Sequence, residues 1–155
     1  MKALKENDYQ FIIGGRIKNE NEDIKQEILK NVSMIKSQEA VSFNKADGTR
    51  LIVSYSDSRQ KKDRYNREHG LKKLRQRIQS GKLRKNHINN RGYNKFLTLK
   101  GTVTVEIDET KVVADEFWDG LKGYITNTEL SGQQVIENYR HLWQIEKALR
   151  ISALV

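Results

Sequence analysis

Near the end of the chain one carboxylate interrupts an apolar stripe. Val135, Tyr139, Leu142, Glu146 and Leu149 recur at steps of four, three, four and three, the spacing of a single helix face. Such a face is expected to be buried, and a buried acid needs a partner. Two chemistries suit Glu146. One is structural, an ion pair with Arg150 one turn later. The other is that of a metal ligand or catalytic acid, because a carboxylate is a hard oxygen donor of the kind divalent ions prefer.

The elements that must position this acid are legible beside it. Ser131 with Gln134 three residues on forms a capping box and starts the final helix near Gly132. Leu121 to Thr126 reads as the strand before it, with Phe117 and Trp118 leading in as core anchors rather than base-stacking platforms. A strand, a turn and a helix bearing Glu146 follow in that order.

The same segment resembles the end of the catalytic domain of bacterial insertion-sequence transposases of the DDE type, whose signature is Tyr-x2-Arg-x3-Glu-x6-Lys. Tyr139 and Glu146 stand at the tyrosine and third-acid positions, Leu142 at the arginine position and Ala153 at the lysine position, with Arg140 and Arg150 as substitute cations. Gln10 to Asn19, Asn89 to Phe96 and Trp118 to Asn127 also look like these transposases, so the resemblance covers nearly the whole chain. It implies an RNase H-like sheet, two Mg²⁺ ions held by two aspartates and a glutamate, and DNA cleavage with strand transfer, one ion preparing the attacking oxygen and the other stabilising the leaving one. It places the two aspartates upstream of the strand that Phe11 to Ile17 resembles. The chain is therefore expected to carry only Glu146 as a metal ligand and to be inactive alone.

Charge is the second signal. From Ser58 to Lys95, fourteen Lys or Arg stand against two acids, Asp63 and Glu68, so this segment carries +12 of a net charge of +9 and the remainder is −3. Solvated helices kept soluble by lysines normally intersperse acids, and here those acids are missing. The pattern fits a surface that meets a phosphate backbone. The candidate DNA contacts are Arg59, Lys61, Lys62, Arg64, Arg67, Lys72, Lys73, Arg75, Arg77, Lys82, Arg84, Lys85 and Arg91, joined from the resemblance by Tyr139, Arg140 and Arg150. Contacts of this kind set affinity and register without reading sequence.

Along the rest of the chain, Phe11 to Ile17 reads as a buried strand, and Asn19 with Glu22 as the start of one helix running to about Ser37 on Ile24, Ile28, Val32 and Ile35. Val41 to Ala46 and Thr49 to Tyr55 flank Asp47-Gly48, a strong hairpin signal. Asp57 or Ser58 caps a long basic helix with Tyr65, Leu71, Leu74 and Ile78 on its apolar side and Gly81 at its end. Asn86 to Gly92 reads as a loop, and Tyr93 to Leu99, Thr102 to Ile107 and Lys111 to Asp115 as a three-stranded meander. Asp57, Asp108, Asp115 and Asp119 read as turn formers or solvated charges rather than replacement metal ligands.

The expected architecture is α/β (α+β): one incomplete RNase H-like domain over 1–155, with strand and helix in 10–38, a β-rich basic insertion in 41–116, and strand and final helix in 117–152. Hydrophobic residues make up 36% and charged residues 32%, a lean balance for one core. There are no cysteines, which excludes disulfides and thiolate metal sites, and His69, His87 and His141 lack a second ligand at metal spacing. No apolar run is long enough for a membrane span and the start lacks a signal-peptide core, so the expected location is the bacterial cytoplasm, at the nucleoid when DNA is bound. The expectation is a truncated transposase that retains binding to DNA, as a transposon end or any duplex. The alternative is a stand-alone basic nucleic-acid-binding or transposition-regulatory module without catalysis, such as an inhibitor that pairs with full-length transposase. The plainest alternative is a fragment with no activity of its own.

Overall fold

The computed structural model describes residues 9–38, 40–102 and 104–152, with the backbone alone for 37–38 and 147–152. The chain is a mixed α/β protein that divides into two compact units, Met1–Ser56 with Leu121–Val155, and Asp57–Gly120.

The first unit is built on a four-stranded antiparallel sheet of β1 (Ile12–Gly15), β2 (Ala40–Asn44), β3 (Arg50–Tyr55) and β6 (Leu121–Thr126), in the order β1-β6-β3-β2. Alternation along a strand sends successive side chains to opposite faces. On one face Ile52 and Tyr124 pack with Val135 and Ile136 of α5 (Gly132–Ser152). On the other lie Leu51 and Val53, and α2 (Val32–Gln38), which follows α1 (Glu22–Lys30), contacts β2 and β3. Ile28 and Ile35 of this helix pair are fully buried.

The turn chemistry explains the hairpin. Asp47 Oδ1 accepts from the Thr49 N–H at 3.1 Å and from its hydroxyl at 2.6 Å, and Gly48 takes a φ of +76° that a side chain would resist. The predicted single helix to Ser37 is two helices. Asn21, rather than Asn19, caps the first by accepting from the Ile24 N–H at 2.9 Å, and Asn31 ends it by donating its side-chain amide to the Glu27 carbonyl at 2.7 Å.

The second unit contains α3 (Asp57–Gln79), the hairpin of β4 (Leu97–Lys100) and β5 (Thr104–Ile107), and α4 (Glu109–Glu116). Its core joins Leu71 and Leu74 of α3 with Leu83, Phe96, Leu97, Val105 and Val112. Lys111 to Asp115 is helix, not the third strand of a meander, because Asp108 accepts from the Thr110 and Lys111 N–H groups and so caps a helix at that point. The insertion boundary also differs from 41–116. The hairpin β2–β3 belongs to the four-stranded sheet, and the inserted unit begins at Asp57, ends at Gly120 and contains more helix than strand. Phe117 is 60% exposed and is no core anchor.

Ser131 and Gln134 form the predicted box: the Ser131 N–H donates to Gln134 Oε1 at 3.0 Å and the Gln134 N–H to Ser131 Oγ at 3.3 Å. The buried stripe of α5, however, holds only through Val135 and Ile136 to half-buried Tyr139. Leu142 is 55% exposed and Glu146 is exposed as well. Direction accounts for this. The helix crosses the strands rather than following one: Gly132 lies beside Ala40 of β2 and Ile52 of β3, and Tyr139 beside Gly14 of β1 at the opposite edge, so the second half of α5 runs past the sheet.

Candidate nucleic-acid interface

Helix α3 sorts its side chains by phase. Arg67, Gly70, Leu71 and Leu74 are buried, with Ile78 half-buried in line, a sequence of steps that keeps one side of the helix on the core. Tyr65, expected on that side, falls outside the phase and is 58% exposed. The remaining cations of the helix point to solvent: Lys61, Lys62, Arg64, Lys72, Lys73 and Arg77 are exposed and have no carboxylate partner among the described residues. Arg59 lies 3.7 Å from Asp63, and Arg75 lies 3.5 Å from Glu109. Beyond the helix Lys82, Arg84, Lys85 and Arg91 are also exposed.

Arg67 is the exception and leaves the set of candidate DNA contacts. Its guanidinium donates to both oxygens of Asp119, at 2.6 and 2.7 Å, with Glu116 at 3.5 Å, and the two principal side chains are only 6% and 8% exposed. The Asp119 hydrogen bonds hold the guanidinium proton above its ordinary affinity and outweigh the opposing effect of burial. The acids of this unit are thus largely engaged: Asp119 with Arg67, Asp115 with Lys95 at 2.6 Å, Glu109 with Arg75, and Asp108 with the cap of α4. Sixteen Lys or Arg against nine Asp or Glu leave Asp57–Gly120 at +7, with most of its unbalanced charge on α3 and the turn after it.

In the first unit, Tyr139 and Arg140 line a cleft of about 400 Å³ together with Lys122, Tyr124 and Trp143. Tyr139 sits edge-on to Tyr124, ring centroids 5.0 Å apart, and Lys122 Nζ lies 4.7 and 4.9 Å from the two ring centres. The fit against Gly14 is close, since a Cβ there would lie 3.1 Å from the Tyr139 hydroxyl and the ring would have to give by a few tenths of an ångström. Lys122 and Tyr124 belong to no motif that marks them in the sequence, although their i, i+2 spacing on a strand places them on one face. The Arg150 side chain, and with it the expected pair to Glu146, lies outside the described residues.

Glu146 stands two turns beyond Tyr139, exposed on the overhanging half of α5. Among the described residues no group of three or more His, Asp or Glu side chains is gathered as a metal site. One exposed carboxylate does not fit a two-ion centre, which needs several hard oxygen donors to replace water and offset charge. No helix among the described residues is long and apolar enough to cross a membrane. No protein family, curated protein or solved structure matches this chain.

Proposed function

We propose that this chain binds DNA through the phosphate backbone, using the solvent side of α3 and the turn that follows it, and that it is related to the catalytic domain of DDE transposases. The observation that carries the DNA-binding reading is the sorting on α3: the cation with an acid that fully satisfies it is buried, and a row of others is turned outward without carboxylate partners among the described residues. Exposed cations of this kind neutralise phosphates and release condensed counterions, which gives affinity without sequence readout. Transposase kinship is supported by the spacing of Tyr139 and Glu146 on the helix after β6, and by that strand–helix order, for which we propose the RNase H-like fold. Mg²⁺ and strand transfer follow from the kinship alone, and no catalytic step is assigned to these residues.

The test is a salt titration of binding to a generic DNA duplex, comparing the native chain with one carrying Lys61→Gln, Lys62→Gln, Arg64→Gln and Lys72→Gln. Binding is expected to fall steeply with salt, and the slope of log K against log salt should drop by roughly 0.9 for each phosphate that the variant no longer neutralises. A folded native chain that does not bind duplex, or a variant with an unchanged slope, overturns the reading.

A further inference from the structure

The cations of α3 do not all face open solvent in the same way. Lys73 and Arg77, one turn apart, join Arg91, which precedes the 3-10 turn Gly92–Phe96, around a cleft of about 420 Å³, floored by Gly70, Leu74 and Tyr93. That volume lies in the range of small-molecule sites. All of these residues belong to the inserted unit. The floor is built rather than incidental: the Tyr93 ring packs on the bare backbone of Gly70, where a Cβ would lie 2.4 to 2.5 Å from three ring carbons. Tyr93 nevertheless remains 40% exposed, so the aromatic surface is only partly consumed by that packing. Its loop is fixed by hydrogen bonds to the backbone, with the Arg91 N–H donating to Asn89 Oδ1 at 2.9 Å and the Asn94 N–H to the Arg91 carbonyl at 3.1 Å.

Three cations around one cleft repel each other, and none of them has a carboxylate partner among the described residues. An anion relieves that repulsion. A bare anion, however, has no use for an apolar and aromatic floor. The combination selects a ligand with a phosphate at one end and a flat ring at the other.

We infer that this cleft takes one nucleotide unit, its phosphate held by Lys73, Arg77 and Arg91 and its base laid against Tyr93. The inference rests on the nucleic-acid reading above and adds to it a base-dependent interaction that a B-form duplex, with its bases stacked inside, does not offer. The shared chemistry is a phosphate ester bearing a heteroaromatic base, whether within a single strand or as a free mononucleotide.

The experiment uses the full chain and fluorescence anisotropy with two labelled single strands, one of normal nucleotides and one of the same length made of abasic sites. Tyr93→Leu keeps an apolar group on Gly70 but removes the ring, and Arg91→Gln changes an exposed side chain without touching the core. Tyr93→Leu is expected to weaken the normal strand roughly 5- to 150-fold, the span expected for the stacking of one base, and to leave the abasic strand within about twofold. Arg91→Gln should weaken both, and Tyr93→Phe should restore the normal strand. Equal loss on both strands with Tyr93→Leu, no loss on either, or no effect of Arg91→Gln overturns the proposal, provided thermal unfolding is native-like, and Arg91→Gln keeps the test intact where Tyr93→Leu fails to fold. Competition by adenosine 5′-monophosphate but not by inorganic phosphate identifies the free nucleotide as a sufficient source. Competition by neither assigns the site to the strand, and equal competition by both overturns the aromatic half of the proposal. None of the four residues neutralised in the duplex titration lines this cleft, so a failure of backbone binding and a failure of the nucleotide site are read out separately.

Discussion

Arg67 shows what a count of charges cannot. Fourteen Lys or Arg between Ser58 and Lys95 look interchangeable in the sequence, yet one of them is a core residue. The signal was present in the spacing: Arg67, Leu71, Leu74 and Ile78 follow steps of four, three and four, whereas Tyr65 precedes Leu71 by six and so belongs to another face. Aromatic character suggests burial for Tyr65, and phase decides otherwise. A charge on the core side requires an opposite one, and Asp119 is visible in the sequence only as an isolated acid near a turn, because the chain separating the two hides their proximity. Burying a charge is tolerable when its partner is fixed, but removing that partner leaves an uncompensated ion. Asp119→Ala is therefore expected to destabilise the inserted unit by roughly 3–5 kcal/mol, whereas Arg67→Met with Asp119→Leu should recover most of that loss. Denaturant titration followed by the fluorescence of nearby Trp118 measures both, and a single Asp119 variant as stable as the native chain would mean that the pair contributes nothing to holding this unit together.

At the scale of elements, what could be read in advance was whatever local chemistry determines. Asp47-Gly48 and Ser131 with Gln134 each specify a turn or a cap within a few residues, and both occur as expected. Alternation of apolar residues was less secure, since Lys111 to Asp115 suits a strand until Asp108 supplies two capping bonds to the backbone. Asn31 similarly divides a helix whose apolar face runs on without a break. The close approach of β1 and β6 was legible only as glycines. Gly123 pairs with Gly15, and a Cβ at Gly123 would lie 2.4 Å from Ile17 Cγ2 and 3.1 Å from the Gly15 carbonyl oxygen. Backbone cannot move aside as a side-chain end can. Gly123→Ala should cost about 1–3 kcal/mol by overpacking, measured by denaturant unfolding, and a neutral substitution would mean that the two strands have more room than this register gives.

For the whole molecule, the candidate catalytic acid and the basic helix belong to different units, whereas the sequence alone places both within one incomplete domain. The expectation of a buried Glu146 failed because periodicity reports which residues share a face but not how far the opposing sheet extends. With Glu146 exposed on the half of α5 that runs past the sheet, the purified chain with Mg²⁺ is expected to leave supercoiled plasmid intact; nicking that disappears in Glu146→Ala would show that a working centre assembles after all. The manner of insertion has a further consequence, for the order of folding. Tyr55 and Leu121 are paired neighbours in the sheet, so β3 can meet β6 only after the intervening chain has closed on itself. For a flexible segment of roughly sixty residues that closure costs about 4 kcal/mol of chain entropy. The inserted unit ties its own ends together, through Arg67 to Asp119 and through the Gly120 N–H, which donates to Asp63 Oδ2 at 3.1 Å. Once it has folded, the two strands are presented to each other as the arms of a short hairpin, and a pairing distant in sequence becomes a local one. The salt bridge that withdraws Arg67 from the solvent side of α3 thereby also holds together the inserted unit from whose ends β3 and β6 extend.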